Sequence, residues 1–94
     1  MHLTLRQLKI FEAVARHLSF SRAADELHLT QPAVSMQVRS LEEAAGLPLT
    51  EQVGKKIFLT EAGGELARHA RVVAQQLREA EEALAAMKGL RGGL

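Results

Sequence analysis

Apolar residues recur at helical spacing through most of this chain. Leu8, Phe11, Ala15 and Leu18 form one stripe. Ile10 and Val14 form a second apolar edge, so the pattern predicts a first helix covered on more than one side. Thr4, followed three residues later by Gln7, is a capping box that would start it. Ser19 and Ser21 interrupt the pattern, and Ser21 is the expected N-cap of a short second helix carrying Ala23, Ala24 and Leu27. Thr30 is the expected N-cap of a third helix. Pro32 falls in its first turn, where a missing N–H costs nothing. Val34, Val38, Leu41 and Ala45 then follow at i, i+4, i+7 and i+11 and predict its buried face. Gly46 supplies a stop, and Pro48 prevents the helix from resuming.

The period then changes. Residues 49–53 and 56–59 predict two strands joined by Gly54-Lys55, a hairpin directly after a helix pair, which is a wing. Thr60 caps a long helix over 61–88, with Gly89, Gly92 and Gly93 as a hinge or an end. Leu66, Ala70, Val73, Leu77, Ala80, Leu84 and Met87 alternate in steps of four and three. That is a heptad seam of about three heptads on a helix about 42 Å long. Such a stripe needs a partner in water. It either folds back on its own small domain or pairs with a second copy. The heptad spacing favours pairing, and Ala70 and Ala80 allow close approach.

Composition narrows the class. Ninety-four residues with 47% apolar content suit one small domain plus an appendage. With no cysteine, disulfides, thiolate metal sites and a cysteine nucleophile are excluded together. No run spans a bilayer and no secretory pattern opens the chain, so the expected compartment is the cytoplasm. Net charge is only +1, with seven Lys/Arg against six Asp/Glu in residues 1–60 and five of each in 61–94. Bulk charge therefore cannot supply nucleic-acid affinity; placed cations and helix N-termini must do so.

The stretch 20–39 has the form of two helices joined by a tight turn, the helix-turn-helix that offers its second helix to the major groove. With Val34, Val38 and Leu41 facing inward, Pro32, Ser35 and Arg39 lie on roughly the opposite face, and Gln31 opens the helix beside them. Gln31 can bond an adenine edge through two atoms, Pro32 can touch a thymine methyl, and Ser35 can bond a base or a phosphate. Arg39 can reach a phosphate or a guanine. Ser21 and Arg22 start the second helix, where free N–H groups favour phosphate. Lys55 and Lys56 at the wing tip can enter a minor groove or clamp the backbone. Each has a plainer reading too. Ser21 and Thr30 serve as caps, Gln31 and Ser35 as solvated residues, and Lys55-Lys56 as a soluble turn.

These residues carry a resemblance. The segments Leu5-Arg6-Gln7-Leu8 with Phe11, Val14 and Ala15, then Ser19-Phe20-Ser21-Arg22-Ala23-Ala24, then Leu29-Thr30-Gln31-Pro32-Ala33-Val34-Ser35 occur in order. Leu41-Glu42, Gly46-Leu47-Pro48-Leu49 and Leu59-Thr60-Glu61-Ala62-Gly63 follow. The chain resembles the N-terminal DNA-binding domain of LysR-type transcriptional regulators over residues 3–63. The resemblance implies a mainly α fold: a winged helix-turn-helix over 1–60, a dimerisation linker helix over 61–90, and a hinge or end over 91–94. It implies double-stranded DNA as partner, a homodimer on an interrupted palindrome, a tetramer in the full-length protein, and no membrane. Thr30, Gln31, Pro32, Ser35 and Arg39 become the groove-facing set, Ser21 and Arg22 hold the backbone, and Lys55-Lys56 is the wing. Family members add a C-terminal domain that binds a small-molecule co-inducer. This chain stops at Gly92-Gly93-Leu94 and so is expected to be a fragment without that domain, needing no cofactor itself. The wording Glu51-Gln52-Val53-Gly54-Lys55-Lys56-Ile57, with Met36-Gln37-Val38 and Arg16-His17, is most similar to regulators of carbon-fixation (Calvin cycle, ribulose bisphosphate carboxylase) operons.

Two positions depart from the family pattern. Thr50 stands where phenylalanine is usual, which should loosen the wing's anchor by roughly 3–5 kcal/mol if that site is fully buried. Gln52 stands where arginine is common, removing a charged phosphate contact. A protein-interaction module, with DNA binding lost and the long helix recruiting a partner, is the competing class, favoured by the near-neutral charge. An enzyme is the third: His2, His17, His28 and His69 lack metal-ligand spacing, and no nucleophile–base pair or Gly-rich phosphate loop is evident. The expectation is no catalysis and no metal.

Overall fold

The computed structural model describes residues 1–92. Its elements are α1 (Leu5–His17), α2 (Phe20–Leu27), α3 (Gln31–Ala45), β1 (Thr50–Val53), β2 (Lys56–Leu59) and α4 (Glu61–Gly92). The fold is mainly helical, three helices followed by an antiparallel hairpin and a long helix.

α1 opens on the expected capping box: the Gln7 N–H donates to Thr4 Oγ1 at 3.1 Å, and the Thr4 N–H donates to Gln7 Oε1 at 3.1 Å. It is the central helix, packed by α2, α3 and α4. Contact from three sides explains its broad buried face of Ile10, Phe11, Ala13 and Val14. The expected stripe is corrected at its end. Leu18 lies outside the helix as a left-handed C-cap, φ 49°, and is 44% exposed.

The cap of α2 is also corrected. Ser19, not Ser21, holds extended backbone and accepts the Arg22 N–H on its Oγ at 3.1 Å. Capping there makes Phe20 the first helical residue, half-buried against the core, while Ser21 sits exposed in the first turn. α2 buries Ala23 and Ala24, and these small side chains let α1 and α3 come close. Thr30 caps α3 as expected, its Oγ1 accepting the Ala33 N–H at 3.3 Å. α3 buries Val34, Val38 and Leu41, and Gly46 ends it with φ 70°.

An ion-pair cluster locks α1 to α2. Arg16 donates to Glu12 through Nε at 2.8 Å and to both oxygens of Glu26 at 2.7 and 2.6 Å. His17 Nε2 lies 2.8 Å from Glu26 Oε1. Hydrogen bonds from Arg16, then His17, hold the Glu26 carboxyl at about 2 instead of the usual 4.5.

The hairpin pairs Thr50 with Leu59 through Val53 with Lys56, around the two-residue loop Gly54-Lys55. Its anchor differs from the sequence expectation. Thr50 is only half-buried; Leu49 just before β1 is buried, and Ile57 and Leu59 pack on the core from β2. The Leu49 N–H donates to Glu42 Oε2 at 2.8 Å, tying the wing directly to α3. The place of an aromatic at position 50 is thus taken by three aliphatic side chains and a carboxylate.

α4 has 32 residues and does not stop near Lys88; it continues through Gly89 to Gly92, while Gly93 and Leu94 lie outside the described residues. One glycine inside a helix costs only about 1 kcal/mol, too little to end it. The Thr60 Oγ1 accepts the Gly63 N–H at 3.0 Å and donates to the Pro48 carbonyl at 2.7 Å. Ala62, Leu66 and Ala67 pack on the core, and Ala70 is 1% exposed. The heptad seam is therefore split: Leu66 and Ala70 are used inside this chain. Beyond them Leu77 is half-buried, and Val73, Ala80, Leu84 and Met87 are exposed.

Gly63 is buried where α4 crosses the chain ahead of β1, and a Cβ there would run into the Leu49 carbonyl. Gly63→Ala should cost about 3 kcal/mol, at the upper end for overpacking, because backbone must move. Gly64→Ala meets nothing within 4 Å and should be neutral or stabilise by up to about 1 kcal/mol. Thermal melts of the two variants check this; equal melting temperatures would contradict the close approach.

The lowered Glu26 value also sets a pH dependence. Its contribution is fully present above 4.5 and is lost as pH falls from there toward about 2. Because the pair is solvent-accessible, the contribution is about 1 kcal/mol or less. Glu26→Gln should flatten the acid limb of a melting-temperature profile across that interval and leave its shape at neutral pH unchanged.

Candidate nucleic-acid interface

α3 presents two parallel rows. Val34, Val38 and Leu41 are buried, with Ala45 half-buried behind them. Shifted by two residues, Pro32, Met36, Arg39 and Glu43 repeat the same spacing and are all exposed. Gln31 and the half-buried Ser35 run along the flank between the rows. The Gln31 Nε2 donates to Ser35 Oγ at 2.7 Å. Gln31 keeps its Oε1 and a second N–H for an outside partner, and the Ser35 hydroxyl keeps its proton.

The turn into α3 places these groups. His28 ends α2 in the left-handed region at φ 58°, and the Leu29 N–H donates to the Ala24 carbonyl at 2.9 Å. Leu29 packs on the core and swings the chain so that Thr30 can cap. At the other end of α2, Ser19 satisfies the Arg22 N–H, while those of Phe20 and Ser21 find no partner among the described residues.

An open cleft of about 610 Å³ lies between the starts of α2 and α3 and the wing. Ser21, Gln31, Lys55 and Lys56 line it, together with Phe20 and Gln52. Four of the residues expected at the site are thereby brought together. Pro32 and Ser35 continue from Gln31 along α3. Arg22 is exposed in the first turn of α2, and Thr30 is occupied as a cap. Arg39 stands apart, at a second hollow with Glu42, Glu43 and Pro48.

Among the described residues, most of the cations are left open by the ion pairs, including those at the cleft and on the outer side of α3. Arg16 and Arg68 are neutralised within the chain by Glu12, Glu26 and Glu65. Arg22, Arg39, Lys55 and Lys56 are exposed and form no ion pair among the described residues. The cations on the side of the cleft and the exposed row are thus available to an anionic partner.

Residues 5–64 match the bacterial regulatory helix-turn-helix protein, lysR family. The chain belongs to the LysR family. It is 59% identical over 93 residues to the RuBisCO operon transcriptional regulator of Allochromatium vinosum, covering 99% of this chain and 31% of that regulator. It is 55% identical over 89 residues to the HTH-type transcriptional regulator CbbR of Rhodospirillum rubrum, covering 95% of this chain and 30% of CbbR. Among solved structures it is similar to the CbnR_DBD-DNA complex, with a TM-score of 0.76 and 35% identity over 90% of this chain and 99% of that one. This LysR-family chain thus spans about 30% of the length of such relatives. Among its described residues no helix is long and apolar enough to cross a membrane.

Four residues of this LysR-family chain have roles that residue type and sequence position do not mark. Met36 is selected by the same spacing that selects Pro32 and Arg39, but it carries no strong donor or acceptor. Ser19 competes with Ser21 as a cap two residues away. Glu42 reads as one more surface carboxylate, yet it holds the wing. Gln52 donates its Nε2 to the Gly54 carbonyl at 3.2 Å. Its side chain spans the wing loop and braces the turn that presents Lys55.

Proposed function

We propose that this chain binds double-stranded DNA sequence-specifically, as a homodimer on an interrupted palindrome, and thereby controls transcription. The observation that carries the proposal is the convergence of Ser21, Gln31, Lys55 and Lys56 on one cleft beside the exposed row of α3. α3 enters the major groove. Gln31, Pro32, Ser35 and Arg39 face base edges, with Arg39 also within reach of backbone. The unpartnered N–H groups at the start of α2, with Ser21, Arg22 and Thr30, take phosphates. Lys55 and Lys56 hold the flanking backbone. The names of the relatives support carbon-fixation genes, those of a RuBisCO operon, as targets. Action is by binding and not by catalysis, and the compartment is the cytoplasm. A co-inducer and a tetramer belong to a longer regulator of which this is the DNA-binding part.

Pairing is proposed through Val73, Leu77, Ala80, Leu84 and Met87, the part of the seam that the chain does not use itself. α4, at about 1.5 Å per residue, is long enough to hold two α3 helices more than one DNA turn apart, a turn being about 34–36 Å. Light scattering at micromolar concentration should give twice the chain mass, and a strictly monomeric chain would contradict this interface.

Site selection from random duplexes tests DNA reading. The recovered palindrome should be bound far more tightly than its scrambled form at physiological salt, and equal affinity would remove the proposal. Gln31→Ala should lose about 1–3 kcal/mol of discrimination at one base pair of each half-site. Lys55→Ala should weaken all duplexes alike and lower the logarithmic salt slope by about 1 per protomer. Identical behaviour of the two variants would refute the division between reading and holding.

A further inference from the structure

The exposed row of α3 begins with two apolar residues, Pro32 and Met36, one helical turn apart. At i and i+4 they form one continuous ridge. Met36 is 65% exposed and takes no part in the core cluster. The ridge is bounded by polar groups, the hydrogen-bonded Gln31–Ser35 pair on one flank and Ser40 on the other. In the major groove the apolar feature of a base edge is the thymine C5 methyl.

We infer that Met36 is a specificity-determining residue that recognises a thymine methyl in the same half-site as the base read by Gln31; this rests on the DNA-binding reading above. Continuity with Gln31 and Pro32 identifies the occupant. A duplex seated on the cleft and the exposed row covers Met36 in the same event. Methionine suits the task because its three rotatable bonds and polarisable sulfur let it follow a methyl group without a fixed geometry. Covering one methyl is worth about fourfold in affinity. The contact extends the apolar reading of the face from Pro32 by one helical turn, beside the hydrogen bonds of Gln31 and Ser35.

The test uses the 94-residue chain and the duplex recovered by site selection, with each thymine replaced in turn by deoxyuridine. That exchange removes one methyl and leaves every hydrogen-bonding group in place. The chain should lose about fourfold in affinity at one or more thymines of each half-site. Met36→Ala should become insensitive at one of these positions and keep the remaining profile, with Met36→Leu restoring part of the loss. An unchanged thermal melt is expected of both variants, since the side chain is outside the core. A Met36→Ala profile identical to that of the parent would overturn the inference. So would a uniform weakening on all duplexes, or retention of DNA selectivity with Met36 needed only for binding a protein. If the parent chain selects no sequence at all, the DNA-binding reading falls and the inference with it; selection with an unaltered methyl profile removes the inference alone.

Discussion

Phe11, Val14, Val34 and Leu41 have no exposed surface, and their contact joins α1 to α3. Everything the chain offers to a partner depends on it. A helix turns by about 100° per residue, so a one-residue change in which positions face inward would carry Pro32, Met36 and Arg39 off the outer side. Each buried Val, Leu or Phe side chain is worth about 1.5–3 kcal/mol, and a rotated α3 would forfeit several at once. The buried row thus sets the orientation of the exposed one. Residues in the exposed row do little for the core, which leaves their chemistry open to selection by a partner.

Polar contacts then position the remaining parts against this frame. Glu42 leaves the flank of α3 and takes the Leu49 N–H, so the wing is attached to the same helix that carries Gln31. Arg16 bridges Glu12 and Glu26 and holds α2 to α1. The start of α4 is seated by Gly63 on the Leu49 carbonyl, at the foot of the wing. Carboxylates neutralise the structural arginine of the α1–α2 junction, while Arg22, Arg39, Lys55 and Lys56 carry no such partner among the described residues. A net charge of +1 is therefore compatible with a locally basic face.

Much of this was legible because it depends on neighbours in sequence. The capping box of Thr4 and Gln7, the Thr30 cap, the i, i+4, i+7 row of α3 and the two-residue hairpin are all local patterns. So was the outer face of α3, whose direction follows from the buried one. What was not legible depends on contacts across the fold or on non-glycine residues in rare conformations. Leu18 and His28 both end helices in the left-handed region without a glycine to mark the place, so the apolar spacing of the first stripe runs past the end of α1. Ser19 and Ser21 are equally good caps by type, and only the seating of Phe20 decides between them. The identity of residue 50 carries no information about Glu42 or Leu49, which supply the anchor instead. The wing's hold through Glu42, Leu49, Ile57 and Leu59 comes from α3, the segment just before β1, and β2.

α4 shows how one pattern can serve two purposes. Its heptads run on without interruption, but their surroundings change at Ala70. Before that point Leu66 and Ala70 complete the packing against the domain; after it Val73, Leu84 and Met87 face solvent. The docked first turns remove the cost of helix nucleation, so the remainder need only propagate. It therefore continues as helix without an intrachain neighbour, and the chain extends to 57 Å along its long axis while being 17 Å thick. The exposed part of the seam is continuous backbone with the part seated on α1, and α1 is also the support of α3. The direction of the seam and the direction of the exposed row are thus set by the same core. In the proposed dimer no flexible joint among the described residues separates pairing from reading, so the geometry of one seam would dictate the spacing of two recognition helices.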